Sequence, residues 1–289
     1  MADTDFLVRI WGARGSLPAP AGLNSLFGSD TCCVEMRCGP HIFIFDAGSG
    51  AAALSASLVA EGQMEFDLLF SHCHFDHIQG LPFMKPLYSP NGKVRIFTGH
   101  FEDDTTGCEM VDDFMRAPFF PVTPKYFHAD IEFVDFRPPA VLTPKPGVVI
   151  HTARLNHPNG AVGFRVEFRG HVVCYVTDTE HIPGILDARI VELIDDADIV
   201  IYDTMYSDAE FPTYVGYGHS TWEEGIRLCE AAGARRLVLF HHRLERDDRA
   251  LQQIEAEAQA RFPGAVVART GMELRPGERV TRERWRRKA

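Results

Sequence analysis

Twelve short apolar runs punctuate the chain, each four to eight residues long. They are Phe6–Trp11, Cys32–Arg37, His41–Phe45, Phe66–Phe70, Val94–Thr98, Ile131–Phe136, Val148–Leu155, Val162–Phe168, Val172–Val176, Ile199–Tyr202, Leu237–Phe240 and Val266–Arg269. Runs of this length read as strands. Helical patterns cover Ala51–Glu61, Cys108–Arg116, Ile185–Asp196, Thr221–Ala232 and Asp248–Phe262. Ser220 reads as an N-cap with Glu223 three residues on, a capping-box pattern, and Gly233 stands at the far end of that helix. The first half is strand-rich with one strong helix, and the second half repeats strand followed by helix. Two mixed sheets with helices outside satisfy this order, an α/β fold class. No internal sequence repeat, low-complexity tract or composition break marks a linker. The expectation is one domain over residues 1–275, with residues 101–128 as a candidate lid and 276–289 as a basic tail.

The chain has 289 residues, 45% apolar and 24% charged, the composition of a globular protein. No apolar stretch approaches the roughly 20 residues of a membrane span. Met-Ala-Asp-Thr-Asp at the start does not read as a signal peptide, and seven cysteines without framework spacing read as reduced and mostly buried. Both features predict a cytoplasmic protein. Formal net charge is −11, yet the last 14 residues carry six Arg/Lys against two Glu, which leaves the body near −15. An acidic body argues against a broad nucleic-acid surface. The tail reads as a solvated terminus, with a weak RNA or partner contact as the alternative. Sequence leaves the oligomeric state open, a homodimer included.

The chemistry concentrates in Ser71-His-Cys-His-Phe-Asp-His77, directly after the apolar run that ends at Phe70. Packing does not ask for His72, His74, Asp76 and His77 within six positions. His157 follows another apolar run, Asp178 a third, and His241 with His242 a fourth. Loops at strand ends are where α/β sheets place their sites. Imidazoles and carboxylates suit zinc, with manganese or iron as alternatives. His72, His74, Asp76, His77, His157, Asp178 and His241 are too many for one tetrahedral ion, and two ions sharing a carboxylate would use them all. Spacing alone leaves His241 and His242 undecided, and position at the strand end favours His241.

At these residues the chain resembles the metallo-β-lactamase superfamily, over nearly the whole stretch from Trp11-Gly-Ala-Arg-Gly-Ser16 to His241. The resemblance implies an αβ/βα sandwich of two mixed sheets flanked by helices, with a dinuclear metal site at its edge. It implies that His72, His74 and His157 hold one metal, that Asp76, His77 and His241 hold the other, and that Asp178 bridges them. Asp46 matches an early Asp-x-Gly turn and would support a ligand imidazole from behind. Tyr217-Gly-His-Ser-Thr221 and the stretch Gly12 to Pro18 look like elements of the tRNase Z and phosphodiesterase branches. There the histidine matching His219 faces the scissile phosphate and assists the leaving oxygen. Asp203 would orient His219, and Asp76 would serve catalysis as a ligand. Further local motifs, among them Asp178-Thr-Glu-His181, resemble a bacterial group of cyclic nucleotide phosphodiesterase-like proteins.

The implied activity is hydrolysis of a small or cyclic nucleotide-like phosphodiester by a metal-bridging hydroxide. The alternatives are a tRNase Z-like endoribonuclease, a lactone or thioester hydrolase, and a metal-binding module without catalysis. A tRNase Z carries a long basic arm. Here Phe101 to His128 is acidic early (Glu102, Asp103, Asp104) and aromatic late (Phe114, Phe119, Phe120, Tyr126, Phe127), either a cover for a small substrate or packing beneath a loop. That departure favours a small substrate over nucleic acid.

Overall fold

A computed structural model describes residues 6–20, 22 and 24–278 of the chain; nearly all of the basic tail lies outside these residues. The elements run β1 (Phe6–Gly12), β2 (Cys33–Cys38), β3 (His41–Phe45), α1 (Ala51–Ala60), β4 (Glu65–Leu69), α2 (Phe75–Ile78), β5 (Lys93–Thr98), α3 (Gly107–Phe114), β6 (Asp130–Asp135) and β7 (Val141–Leu142). They continue with β8 (Val148–Leu155), β9 (Ala161–Phe168), β10 (His171–Val176), α4 (Ala188–Leu193), β11 (Ile199–Asp203), α5 (Trp222–Ala231), β12 (Leu237–Phe240), α6 (Asp248–Arg261), β13 (Ala265–Val267) and β14 (Glu273–Leu274). All twelve predicted strands form, with ends shifted by no more than two residues. The strands β7 and β14 are two residues each, too short to leave a periodic signal.

Two seven-stranded sheets result, in the orders β14-β1-β2-β3-β4-β5-β6 and β13-β12-β11-β10-β9-β8-β7. In each, one side is antiparallel and the other parallel: β3 to β6 run together in the first sheet, and β10 to β13 in the second. The two halves of the chain thus follow the same plan, although no sequence repeat announces it. Between the sheets lies a core that includes Phe6, Phe45, Phe164, Tyr175 and Phe240. A second cluster packs α4, α5 and α6 on one outer face, and a third packs α1 and α3 on the other. These are the four layers of an αβ/βα sandwich.

Two local expectations are corrected. The helix expected over Ile185–Asp196 is only Ala188–Leu193, because Asp187 caps it by accepting from Arg189 N–H. The next helix is capped by Thr221, whose Oγ1 accepts from Glu224 N–H at 3.0 Å, and not by Ser220. Ser220 Oγ instead accepts from Tyr202 Oη–H at 2.9 Å, and Glu223 accepts from Asp208 N–H at 3.0 Å. Sequence could not separate two adjacent hydroxyl residues, each followed three positions later by Glu.

The segment expected as a lid carries α3, capped by a Thr106–Glu109 capping box. Of its aromatics, Phe101, Phe114, Phe120 and Phe127 pack against the outer cluster of the first sheet, while Phe119 and Tyr126 are exposed. No described helix is long and apolar enough to cross a membrane.

Phe164 sits at the centre of the inter-sheet core, its ring 5.3 Å from that of Phe45 and 6.3 Å from that of Phe136. Phe164→Ala should lower unfolding stability by about 3–5 kcal/mol. Urea denaturation measures this, and a loss under about 1 kcal/mol would mean the two sheets do not rely on this contact.

Candidate metal centre

The parallel strands of both sheets end at one edge, and their ends carry the candidate residues. Asp46 follows β3, Ser71 to His77 follow β4, Asp178 follows β10, Asp203 ends β11 and His241 follows β12. His157 follows β8, an antiparallel strand whose end lies at the same edge. The His-x-His-x-Asp-His segment is only half a loop: His74 precedes a helical turn, α2, that holds Asp76 and His77. Three of these positions need left-handed backbone, with φ of 60° at Asp46, 55° at Asp178 and 60° at His241. Such strain in residues with side chains persists where the surroundings enforce it, commonly at functional sites.

The protons on the imidazoles can be placed from their partners. Ser71 Oγ–H donates to Asp46 Oδ2 at 2.7 Å, so His72 Nδ1–H must donate to Ser71 Oγ at 3.1 Å. His157 Nδ1–H donates to the Gly218 carbonyl at 2.7 Å, and His74 Nε2–H to Asn159 Oδ1 at 3.2 Å. The remaining nitrogens, His72 Nε2, His74 Nδ1 and His157 Nε2, are then bare lone pairs that converge as one cluster. His157 Nε2 and His74 Nδ1 are only 3.0 Å apart, and buried His72 Nε2 has no hydrogen-bond partner. Facing lone pairs repel unless a cation lies between them. Burial pushes both His72 and His157 down, which keeps them neutral and able to ligate.

A second cluster lies beside the first. Asp76 Oδ2, His77 Nε2 and His241 Nε2 form a triangle with edges of 3.1, 3.3 and 3.4 Å. Donors about 2.0–2.1 Å from a zinc ion lie roughly 3.3–3.4 Å apart in a tetrahedral array and about 3.0 Å apart in an octahedral one. The triangle therefore has the dimensions of a ligand shell. Asp178 lies between the clusters, with Oδ1 3.8 Å from both His72 Nε2 and His157 Nε2, and 3.3 Å from His241 Nε2. Its Oδ2 lies 3.2 Å from His77 Nε2. Burial opposes ionisation of Asp76 and Asp178, yet the neighbouring imidazoles hold both carboxyls far below the usual range. Burial likewise opposes charge on His77 and His241, but the carboxylates around them, Asp178 and Asp76 among them, push both well up. The pocket demands positive charge, and the residues present fit divalent cations as its source.

A third layer holds these donors in place. Asp46 accepts from Ser71 N–H at 2.7 Å, Ser71 Oγ–H at 2.7 Å, His77 Nδ1–H at 2.8 Å and Tyr175 Oη–H at 2.7 Å. Ser16 N–H donates to Asp76 Oδ2 at 2.8 Å. Gly15 is required beside it, because a Cβ there would fall 2.3 Å from His241 Cε1. His219 adjoins both clusters, with its ring stacked 4.8 Å from His241 and tilted 5.4 Å from His157. Its Nδ1–H donates to Asp203 Oδ2 at 2.9 Å, and Asp203 is fully buried. His242 lies apart: its Nε2–H donates to the Ala268 carbonyl at 2.9 Å. Sequence reasoning missed Ser71, Tyr175, Asn159 and the Ser16 amide. Ser71 directly precedes the histidine cluster and could have been read as its support. Tyr175 reads as an ordinary core residue, and only the facing of the two sheets reveals its role.

Residues 41–242 match the family described as the beta-lactamase superfamily domain. The chain is 37% identical over 108 residues to the Ribonuclease Z of Gemmatimonas aurantiaca, a match spanning 37% of this chain and about a third (32%) of that relative's length. It is 21% identical over 277 residues to the Ribonuclease Z of Lactobacillus helveticus, over 78% of this chain and 85% of that one. In fold it is similar to YhfI from Bacillus subtilis, a metallo-beta-lactamase fold protein, with a TM-score of 0.73 at 20% identity, covering 94% of this chain and 100% of that one. Short-form human tRNase Z superposes with a TM-score of 0.65 at 19% identity, over 94% and 100% of the two chains.

Two outcomes follow from this geometry. Asp46→Asn would bring an amide N–H or a weaker acceptor against His77 Nδ1–H, and should weaken zinc affinity by about 10–100-fold. Competition with a chromogenic chelator measures it; unchanged affinity would strip Asp46 of that role. His242 is pushed down to about 3 by burial and by Arg14. An unfolded histidine titrates near 6.5, so between these values the unfolded chain binds the extra proton, and stability falls as pH drops from about 6.5 toward 3. His242→Gln should flatten that fall by up to about 1.4 kcal/mol per pH unit, read from urea midpoints across the range; an identical slope would show that His242 does not titrate there.

Proposed function

The chain belongs to the beta-lactamase superfamily, and we propose that it is a metal-dependent phosphodiester hydrolase acting on a small or cyclic nucleotide-like substrate. The observation that carries the reading is the His219–Asp203 pair set against the two donor clusters. His72, His74 and His157 would hold one cation, Asp76, His77 and His241 a second, with Asp178 shared. The imidazole-rich set matches zinc best, with manganese or iron as alternatives. Bound there, such ions supply polarisation of a phosphoryl oxygen and activation of a water molecule.

The protein's own groups set the geometry. Asp46 and Gly218 accept Nδ1–H from His77 and His157, so Nε2 of each is the nitrogen turned to the centre, a lone pair in neutral His157 and one that an ion frees by displacing a proton in His77. Asp203 occupies His219 Nδ1, which leaves Nε2 as the nitrogen available to a substrate. In its protonated form His219 can donate Nε2–H to a phosphate oxygen or protonate a departing alkoxide. Carbonyl substrates such as lactones or thioesters have no anionic phosphate for such a donor. Gly218 is needed for this arrangement: it has φ of 84°, and a Cβ would fall 2.4 Å from His157 Nδ1.

The second reading, a tRNase Z-like endoribonuclease, is supported by the Ribonuclease Z relatives. Charge weighs against it. Asp103, Asp104, Glu109, Asp112 and Asp113 line one recess on the segment beside the site, on a chain of net charge −11. RNA backbone would be repelled by that surface.

Metal-loaded protein should turn over bis(p-nitrophenyl) phosphate. His219→Ala should reduce kcat by about 10²–10⁴-fold with metal content unchanged, and Asp203→Asn should reduce it by less. Equal rates in wild type and His219→Ala would sink the role of His219. Salt-sensitive cleavage of a precursor tRNA, without turnover of small diesters, would select the ribonuclease reading.

A further inference from the structure

The cluster built on Asp76, His77 and His241 has a fourth member, the thiol of Cys32, and all four donors lie within 4.8 Å of one another. We propose that Cys32 is a thiolate ligand of the cation held by Asp76, His77 and His241. This rests on the metal reading given above and adds a sulfur donor to it.

Cys32 is fully buried directly before β2. Gly48 N–H donates to its carbonyl oxygen at 2.8 Å, which pins its backbone. The two adjacent cysteines pack on opposite sides of the first sheet. Cys32 therefore faces the core between the sheets, where the centre is built, while Cys33 faces the helical layer. The Sγ atom contacts the Arg14 carbonyl at 3.4 Å, a weak bond for a thiol and one that does not compete with a cation. Cys73 sits between His72 and His74 in sequence, but it packs toward the helical layer and joins none of the donor clusters among the described residues. The bland reading of Cys32, a small apolar core residue, accounts for its burial. It does not account for a sulfur placed beside three ligand atoms already spaced as a coordination shell.

When the cation binds, the S–H proton leaves to solvent as the sulfur–metal bond forms, so binding releases one proton more than an oxygen and nitrogen shell alone would. A soft, charged donor favours zinc over manganese at this position. The thiolate also adds negative charge to a pocket that already holds two carboxylates, which offsets more of the cation's charge and moderates its pull on a phosphoryl oxygen.

The test is X-ray absorption at the zinc edge on the full-length, zinc-loaded protein, after its zinc content has been measured. A sulfur shell at about 2.3 Å, distinct from nitrogen and oxygen at about 2.0–2.1 Å, is expected, at roughly half a sulfur per zinc if two zincs are bound. Cys32→Ser should lose that shell, while Cys33→Ser and Cys73→Ser keep it. Should Cys32→Ser not fold, retention of the shell in the other two variants assigns it to Cys32 among the cysteines near the centre. Zinc bound without any sulfur shell, or a shell lost in Cys73→Ser, overturns the proposal and leaves the metal centre intact. Failure to bind zinc overturns the metal centre itself.

Discussion

The structure depends on one buried carboxylate. Asp46 is fully enclosed where the two sheets meet, and a charge there is tolerable only if hydrogen-bond donors surround it. It accepts from the Ser71 amide and hydroxyl, from His77 and from Tyr175. Tyr175 lies on β10 of the second sheet, and the other donors follow β4 of the first, so these bonds tie the sheets together at the base of the centre. They also set chemistry. Ser71 donates its O–H to Asp46 and must therefore accept from His72, which leaves His72 Nε2 bare. His77 gives Nδ1–H to the same carboxylate and presents Nε2 inward. A single side chain thus fixes the orientation of one imidazole in each donor cluster.

Backbone geometry acts in the same direction. Asp46, Asp178 and His241 all adopt left-handed conformations where strands end, and Ser16 does so at φ of 65°, where its amide reaches Asp76. Such turns cost energy in residues with a Cβ. They let a strand that has served the core redirect its next side chain into the space between the sheets. The twin plan of the two halves repeats this device, since parallel strands in both sheets finish at the same edge.

Electrostatics then separates the two clusters. Burial dominates around His72 and His157 and keeps them neutral, whereas Asp76 and Asp178 pull His77 and His241 toward the charged form. With a carboxylate of its own in Asp76, the second cluster is the more acidic of the two. His219, oriented by Asp203, adjoins both clusters and leaves one nitrogen for whatever binds beside them.

Much of this was legible in the chain. Apolar runs located twelve strands, continuous where both faces are buried, as in β11 and β12, and alternating where one face is less buried, as in β1. Clustered His and Asp at strand ends named His72, His74, Asp76, His77, His157, Asp178 and His241, because no packing requirement puts such residues there, whereas His219 and its partner Asp203 came from the resemblance carried by Gly218-His-Ser-Thr221. Local sequence misjudged the cap at Thr221 and the start of α4, where neighbouring residues offer equivalent hydrogen bonds and tertiary partners choose between them. It could not separate His241 from His242; folding turned one toward Asp76 and the other toward the Ala268 carbonyl. Nor could it give Tyr175 or Cys32 any part beyond the core. A residue's type and spacing travel with the chain. Which faces of two sheets meet, and which buried polar atoms then find a partner, exists only once both sheets have formed and closed on each other.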